Sequence, residues 1–169
     1  PKFSDYKENW LTLMKSSIIG TLAGSLPGAG ATIASFLAYG EAARSSKHPE
    51  KFGNGAVDGL MATEAANNAS TGGSMTILLS LGIPASNTTA MLIAAFMIHG
   101  LQPGPLLFGQ RPDIIYGIFV AMLLTNIFLV GLSVIGVRVF LQLNRLPYSV
   151  FSAAIMILCA IGAYGLSNN

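Results

Sequence analysis

The sequence predicts an all-α integral membrane protein, a polytopic helical bundle in which two helices are broken by proline and glycine. Three observations carry that prediction. Only 9% of the 169 residues are charged, 52% are apolar, and the mean hydropathy is +0.61; soluble domains carry about 25% charged residues. Charges are absent from four stretches, 16–40, 65–110, 114–137 and 146–169, each at least as long as the ~20 residues that cross a bilayer core. Proline and glycine cluster in the middle of the first two stretches, at 27–30 and 82–86. A soluble bundle would need four long helices without the polar stripe that surface helices carry. The net charge of +2 is too small to point to nucleic acid, and the basic residues fall in the loops, the usual membrane pattern.

Residues 1–15 read as an amphipathic leading segment, with Phe3, Tyr6, Trp10, Leu11 and Leu13 at a membrane surface and Lys2, Lys7 and Lys15 near headgroups. A cytosolic linker is the alternative. The polar, aromatic start and the stop at Asn169 directly after an apolar run predict a piece of a longer protein. Residues 16–108 read as a transport core. Its first span, 16–40, carries Pro27-Gly28-Ala29-Gly30 at its centre. Proline removes a backbone donor and clashes with the preceding turn, and glycine loosens the chain further, so two half-helices with an unwound joint are expected. Gly20, Gly24 and Gly28 recur every fourth residue and predict a smooth face for close helix approach.

Residues 41–54 are a polar loop in which His48 is solvated, and 55–70 read as a helix docked on the core. The second long span, 71–100, breaks at Gly82-Ile83-Pro84-Ala85-Ser86, and a stiff turn follows at Gln102-Pro103-Gly104-Pro105. Residues 109–169 read as scaffold: an unbroken helix over 114–137, a basic linker over 138–145 and a last span over 146–166. Cys159 lies in an apolar run and reads as a packing residue. If every span crosses, the loops 41–54 and 138–145 share the cytoplasmic side and 101–113 faces the periplasm. The alternative makes each broken span a re-entrant hairpin that returns to its starting side.

The two breaks align at an offset of 57 residues, Pro27 on Pro84 and Thr32 on Thr89. Paired Gly/Pro interruptions are the best sequence pointer to a transporter binding site. Unwound backbone is tolerated at membrane depth only where it lines a cavity or is buried in protein. The half-helix after each break presents free N–H groups and a positive dipole end to an anion. Pro27, Gly28, Ala29, Gly30 and Thr32 at the first break, and Pro84, Ser86, Asn87, Thr88 and Thr89 at the second, are therefore the candidate substrate- or cation-binding residues. Ser86, Asn87 and Thr88 supply neutral oxygens that suit a carboxylate or a sodium ion. Glu64, Asn67 and Asn68 share one helical face, and an ionisable residue near the bilayer is a functional candidate, as cation ligand, proton carrier or ion-pair partner. Asp58 lies nearer the basic loop, and His99 reads as an interfacial hydrogen bonder.

No enzyme signature appears: no carboxylate pair with a nearby base, no Cys/His metal spacing, and Gly28-Ala29-Gly30 lacks the Lys-Ser/Thr of a phosphate loop. The expected cofactor set is empty apart from sodium or a proton as coupling ion. A secondary transporter is the leading reading; a channel, an ATP-driven permease subunit and a structural membrane-assembly protein are the alternatives.

Six motifs occur in order: Leu26-Pro-Gly-Ala-Gly-Ala-Thr32; Tyr39 with Glu41 and Lys47; Phe52-Gly-Asn-Gly55; Glu64-Ala-Ala-Asn-Asn68; Leu81-Gly-Ile-Pro84; and Pro103-Gly-Pro105-Leu-Leu-Phe108. Together they resemble the large membrane subunit of the tripartite tricarboxylate transporters, over about residues 20–108, in what looks like its second half. The resemblance implies a permease subunit in a bacterial inner membrane, partnered by a small membrane subunit and a periplasmic solute-binding protein. It implies import of small carboxylates driven by an ion gradient. Many relatives have glycine after the second-break proline where this chain has Ala85. Ser86-Asn87-Thr88 is also similar to the signature of sodium-coupled dicarboxylate symporters.

Overall fold

The computed structural model describes residues 3–143 and 147–167. It is all-helical: among the described residues there are no strands, and the helices are α1 (Phe3–Glu8), α2 (Trp10–Gly24), α3 (Gly30–Ser45), α4 (Val57–Leu81), α5 (Asn87–Ile98), α6 (Pro105–Gln110), α7 (Pro112–Leu143) and α8 (Tyr148–Ser167), with a 3₁₀ turn at Pro49–Lys51. Residues 1–116 and 117–169 form two compact units, described separately.

In the first unit the break at Pro27 reverses the chain. Lys15 on α2 pairs with Glu41 on α3, Nζ to Oε1 at 3.7 Å, although 26 positions separate them across the turn. On α4, Gly20 and Gly24 of α2 face Ala66 and Ser70 in rising order. Ser35 and Tyr39 of α3 face Thr63 and Gly59 in falling order. So α2 runs parallel to α4, α3 runs antiparallel to it, and the pair is a hairpin with Pro27 at its tip. The arms hold 15 and 16 residues, about 22–24 Å at 1.5 Å per residue, short of the ~30 Å hydrocarbon core. Of the two geometries expected for the first broken span, the hairpin is the observed one. The start of α2 and the loop after α3 therefore lie at the same end; that loop begins at Ser46, since residues 41–45, expected in a polar loop, are the last turn of α3.

The interior of this unit is built from small residues. Ala34, Ala38 and Ala42 of α3, and Ala62 and Ala66 of α4, join Ala23 of α2 in one buried cluster. Ser74 Oγ donates to the Gly24 carbonyl at 2.9 Å in a buried site. Leu78 and Leu79 of α4 are buried as well, but many large apolar side chains face outward: Ile18, Leu22, Phe36, Leu37, Leu60 and Met91 are all more than half exposed. Close approach through Gly, Ala and Ser with an apolar exterior is how helices pack in lipid, the reverse of a soluble core.

Several expected boundaries shift. Trp10–Lys15 are the first turns of α2 rather than part of a separate leading segment. The expected division at Ser70/Thr71 is absent, because α4 continues unbroken for 25 residues; Gly72 and Gly73 are tolerated there, and Gly73 lets the Thr21 carbonyl approach. Gly28 does not extend the Gly20/Gly24 face, since it lies in the turn at φ +83° with open space around it. The turn at Pro103 docks on the second break: Gly104 N–H donates to the Leu79 carbonyl at 3.2 Å, and a Cβ on Gly82, at φ +71°, would lie 2.6 Å from the Pro103 carbonyl oxygen.

Helix α7, whose residues from 117 on belong to the second unit, runs 32 residues in all, through Arg138 to Leu143, where a linker was expected. Pro112–Leu141 is the helix long and apolar enough to cross a membrane among the described residues. Its polar groups bond inward: the Thr125, Asn126 and Ser133 side chains donate to carbonyls four residues back, at 2.7–2.8 Å, which hides them from an apolar surrounding. Cys159 on α8 is exposed, so the packing role expected of it does not hold within this chain. The expected linker residues 144–146 lie outside the described residues.

The hairpin makes a topological prediction. With Cys159 replaced by serine, single cysteines at Thr12 and Ser46 should react with an impermeant maleimide from the same side of intact cells. Labelling from opposite sides would mean that residues 16–40 cross.

Candidate functional site

The two breaks meet. Gly28 N–H donates to the Ala85 carbonyl at 3.3 Å, so the tip of the α2–α3 hairpin touches the unwound segment between α4 and α5. Ala85 is buried there, 1% exposed. Each break is made by different residues. At the first, Gly28 and Gly30 take φ of +83° and +63° around Ala29, a conformation that side chains other than glycine's resist. At the second, Gly82 closes α4 in the left-handed region, its N–H bonded to Leu78, and Pro84 cannot continue the helix.

The helices that start after the breaks differ in capping, which decides what they can do. In α5, Ser86 is the N-cap and Thr89 the third residue, and they form a reciprocal capping box. Ser86 Oγ accepts from the Thr89 N–H at 3.3 Å, and Thr89 Oγ1 accepts from the Ser86 N–H at 2.8 Å. In α3 the equivalent pair is Ala29 and Thr32. Alanine has no acceptor, so α3 has no side-chain cap. The Gly30, Ala31 and Thr32 amides at that end have no intrahelical partner, and among the described residues the Thr32 hydroxyl has no hydrogen bond.

Thr32 opens into a cleft of about 450 Å³ between α3 and α4, lined by Ala31, Thr32, Ser35, Phe36 and Tyr39 on one wall and Thr63 and Asn67 on the other. Ser35 Oγ donates to the Thr63 carbonyl at 3.2 Å and ties the walls together. Tyr39 is held edge-on against Phe52, ring centroids 5.3 Å apart, and the pair caps the flank of Gly59. The cleft is mostly apolar, and its polar groups are few: the Thr32 hydroxyl and the Asn67 carboxamide at one end, next to the uncapped start of α3, and the Tyr39 phenol at the other, a pattern of a few placed polar groups on an apolar wall that small-molecule sites share.

The expected residues divide. Thr32 and Asn67 line the cleft. Pro27, Gly28, Ala29 and Gly30 form the turn beside it and reach the second break through Gly28. Glu64 and Asn68 lie on the exposed face of α4, outside the lining, with Asn68 Nδ2 donating to the Glu64 carbonyl at 2.9 Å; among the described residues the Glu64 carboxylate has no ion-pair partner. Pro84, Asn87 and Thr88 are exposed at the second break, while the Ser86 and Thr89 hydroxyls are engaged in the cap. Ser35 and Thr63 carry no motif in the sequence, and Tyr39 enters there only as part of a family motif, not as a site residue. The signal was present: Thr32, Ser35 and Tyr39 are spaced i, i+3, i+7, and Thr63 and Asn67 i, i+4, one face each.

At the far end of the hairpin the charges pair up. The Arg44 guanidinium donates to Glu41 Oε2 at 2.7 and 3.0 Å and holds that carboxyl below the usual carboxylate range. Glu50 is also lowered, first by its own backbone N–H and then by His48, whose Nδ1 lies 3.2 Å from Oε1.

Helices packed through small residues, an apolar exterior and two helix breaks in contact are features of helical membrane transport proteins. The chain belongs to the tripartite tricarboxylate transporter TctA family, whose model matches residues 1–169. It is 36% identical over 165 residues to an uncharacterized 52.8 kDa protein in the TAR-I ttuC′ 3′ region of Agrobacterium vitis, covering 98% of this chain and 33% of that protein. It is 38% identical over 150 residues to an uncharacterized protein in the TAR-II ttuC′ 3′ region of the same organism, covering 89% of this chain and 62% of the relative. The chain therefore spans about a third and under two thirds of these relatives' lengths. No solved structure matches it.

Proposed function

We propose that this chain is part of the permease subunit of a secondary transporter that imports small carboxylates, tricarboxylates or related organic acids, across a bacterial inner membrane at the expense of an ion gradient. The observation that carries the reading is the Gly28–Ala85 bond joining the two breaks beside an uncapped helix. A substrate carboxylate would meet the Gly30, Ala31 and Thr32 amides, with the Thr32 hydroxyl and the Asn67 carboxamide as further donors. Neutral donors and a helix dipole can hold an anion without a buried cation, and so can release it on the other side. The exposed oxygens of Asn87 and Thr88 are the place for a sodium ion. Glu64 could carry a proton in its stead. A small membrane subunit and a periplasmic solute-binding protein complete the assembly.

The test is uptake of a labelled tricarboxylate by the complete complex in liposomes. Accumulation above the outside concentration under an inward sodium or proton gradient, without ATP, is the expected result. Flux that needs ATP, or that only equilibrates the label, would replace this reading with a pump or a channel.

A further inference from the structure

The open end of the hairpin holds a second cavity, far from the breaks and unused by the transport reading. It encloses about 640 Å³ between the start of α2, the loop after α3 and the start of α4. Its lining is mixed in charge: Lys15, Lys47 and Lys51 against Glu8 and Asp58, with Thr12 between. His48 also lines it and is turned toward Glu50 at 3.2 Å. Lys15 is held by Glu41 only loosely, at 3.7 Å with its side chain half exposed, and exposed pairs of that kind bind weakly. Its ammonium is available to another anion. Three ammonium groups and two carboxylates do not suit a simple anion. They suit a ligand that carries a phosphate and a primary ammonium together.

The surface leading away from the cavity says what such a ligand is attached to. Leu11 lines the cavity, and from it an apolar track runs along the outside of α2: Leu11, Met14, Ile18 and Leu22 are 54%, 54%, 57% and 65% exposed. At 1.5 Å per residue the track is about 17 Å long, the depth of an acyl chain in one leaflet, roughly half of the ~30 Å core. Trp10, 53% exposed, sits at the cavity end, where amphipathic rings mark a bilayer interface. The hairpin thus presents a polar, doubly charged cavity at its open end and a hydrocarbon track toward its tip.

We propose that this cavity binds the headgroup of a zwitterionic phospholipid, a phosphoethanolamine, with the phosphate on Lys15, Lys47 and Lys51, the ammonium on Glu8 and Asp58, and an acyl chain along Leu11–Leu22. The bound lipid pins the base of the hairpin at the membrane interface while its tip works at the second break. The assignment rests on the membrane reading of the chain, not on the substrate or coupling ion.

The test uses the complete purified protein with phosphatidylethanolamine, phosphatidylglycerol or phosphatidylcholine, by native mass spectrometry and by titration in nanodiscs. Phosphatidylethanolamine should bind about tenfold more tightly than either other lipid, the margin of one hydrogen bond to a charged group. The double variant Lys47→Ala/Lys51→Ala should lose about tenfold for all three lipids. Glu8→Gln, a mild surface change, should shrink the preference for phosphatidylethanolamine over phosphatidylglycerol and leave phosphatidylglycerol binding unchanged. Equal binding of the three lipids, tighter phosphatidylglycerol binding, or a Glu8→Gln protein that keeps its preference would overturn the assignment. So would free phosphoethanolamine competing as well as the whole lipid, because the site would then take a soluble ligand. Release of the protein from membranes by alkaline carbonate is a separate result, and it would remove the membrane reading itself.

Discussion

Gly24→Leu should destabilise the first unit by about 4 kcal/mol, the sum of an overpacked contact and a buried hydrogen bond left unmade. A Cβ at Gly24 would overlap the backbone of Ser70, so no rotamer relieves the clash and α2 must move off α4. That movement also separates Ser74 Oγ from the Gly24 carbonyl, now 2.9 Å apart and buried. Backbone cannot yield as a side chain does. Gly40→Leu is the control. Gly40 lies on α3 without a positive φ, and a Cβ there would meet nothing within 4 Å, so leucine should be neutral or slightly stabilising through helix propensity. Thermal unfolding of the two variants in detergent checks this: a large drop for Gly24→Leu beside an unchanged Gly40→Leu is expected. Equal melting would mean that α2 and α4 do not touch along this face.

Gly20 and Gly24 were legible as a helix-packing face because a spacing of four keeps residues on one side of a helix. Gly28 continues the spacing in sequence but not in space, since the chain turns at Pro27 before the helix reaches it. Both breaks were legible because proline and glycine act locally. Their meeting was not, because the Gly28–Ala85 bond joins backbone groups 57 positions apart, and backbone groups leave no mark on composition. The hairpin was legible only as one of two geometries; the pairing of Lys15 with Glu41 that decides between them depends on tertiary packing. The repeat alignment put Thr32 and Thr89 in register, and both are third residues of their helices. Their environments differ because the N-cap is Ala29 in one and Ser86 in the other, a difference visible in the sequence once the helix starts are known. The small-residue walls of α3 and α4 hid Ser35 and Thr63, which read as packing residues until the two faces are opposed.

Asn67→Ala should weaken transport affinity by about tenfold to a hundredfold, the ~1.5–3 kcal/mol of a hydrogen bond to a charged group. Asn67 is an exposed residue on the cleft wall of α4, so the protein should stay folded and the change should appear in KM rather than in the amount of protein in the membrane. Thr32→Val keeps the shape and removes the hydroxyl, and it should act in the same direction. Asn126→Ala is the reference: its Nδ2 bonds the Met122 carbonyl on its own helix at 2.8 Å, away from the cleft, and its loss should leave KM unaltered. If Asn67→Ala and Asn126→Ala take up labelled tricarboxylate alike over a full concentration range, the α3–α4 cleft is not the substrate's place.

The central claim is that the two helix breaks form one site, and cysteine cross-linking between them tests it most directly. A backbone hydrogen bond between Gly28 and Ala85 keeps the two breaks close, while a Cβ on Gly28 would face open space, so a flexible bifunctional thiol reagent rather than a direct disulfide reports the contact. In the complete protein with Cys159 replaced by serine, the pair Gly28→Cys/Ala85→Cys should be joined in native membranes by a short bifunctional thiol reagent. A tricarboxylate with the coupling ion should change the rate, because the proposed substrate site adjoins the first break. Lys15→Cys/Glu41→Cys, at the other end of the hairpin, reports whether α2 and α3 are paired at all. Cross-linking at 15/41 with none at 28/85, with or without substrate, would show the hairpin intact and the breaks apart, and would contradict the site proposed for this chain.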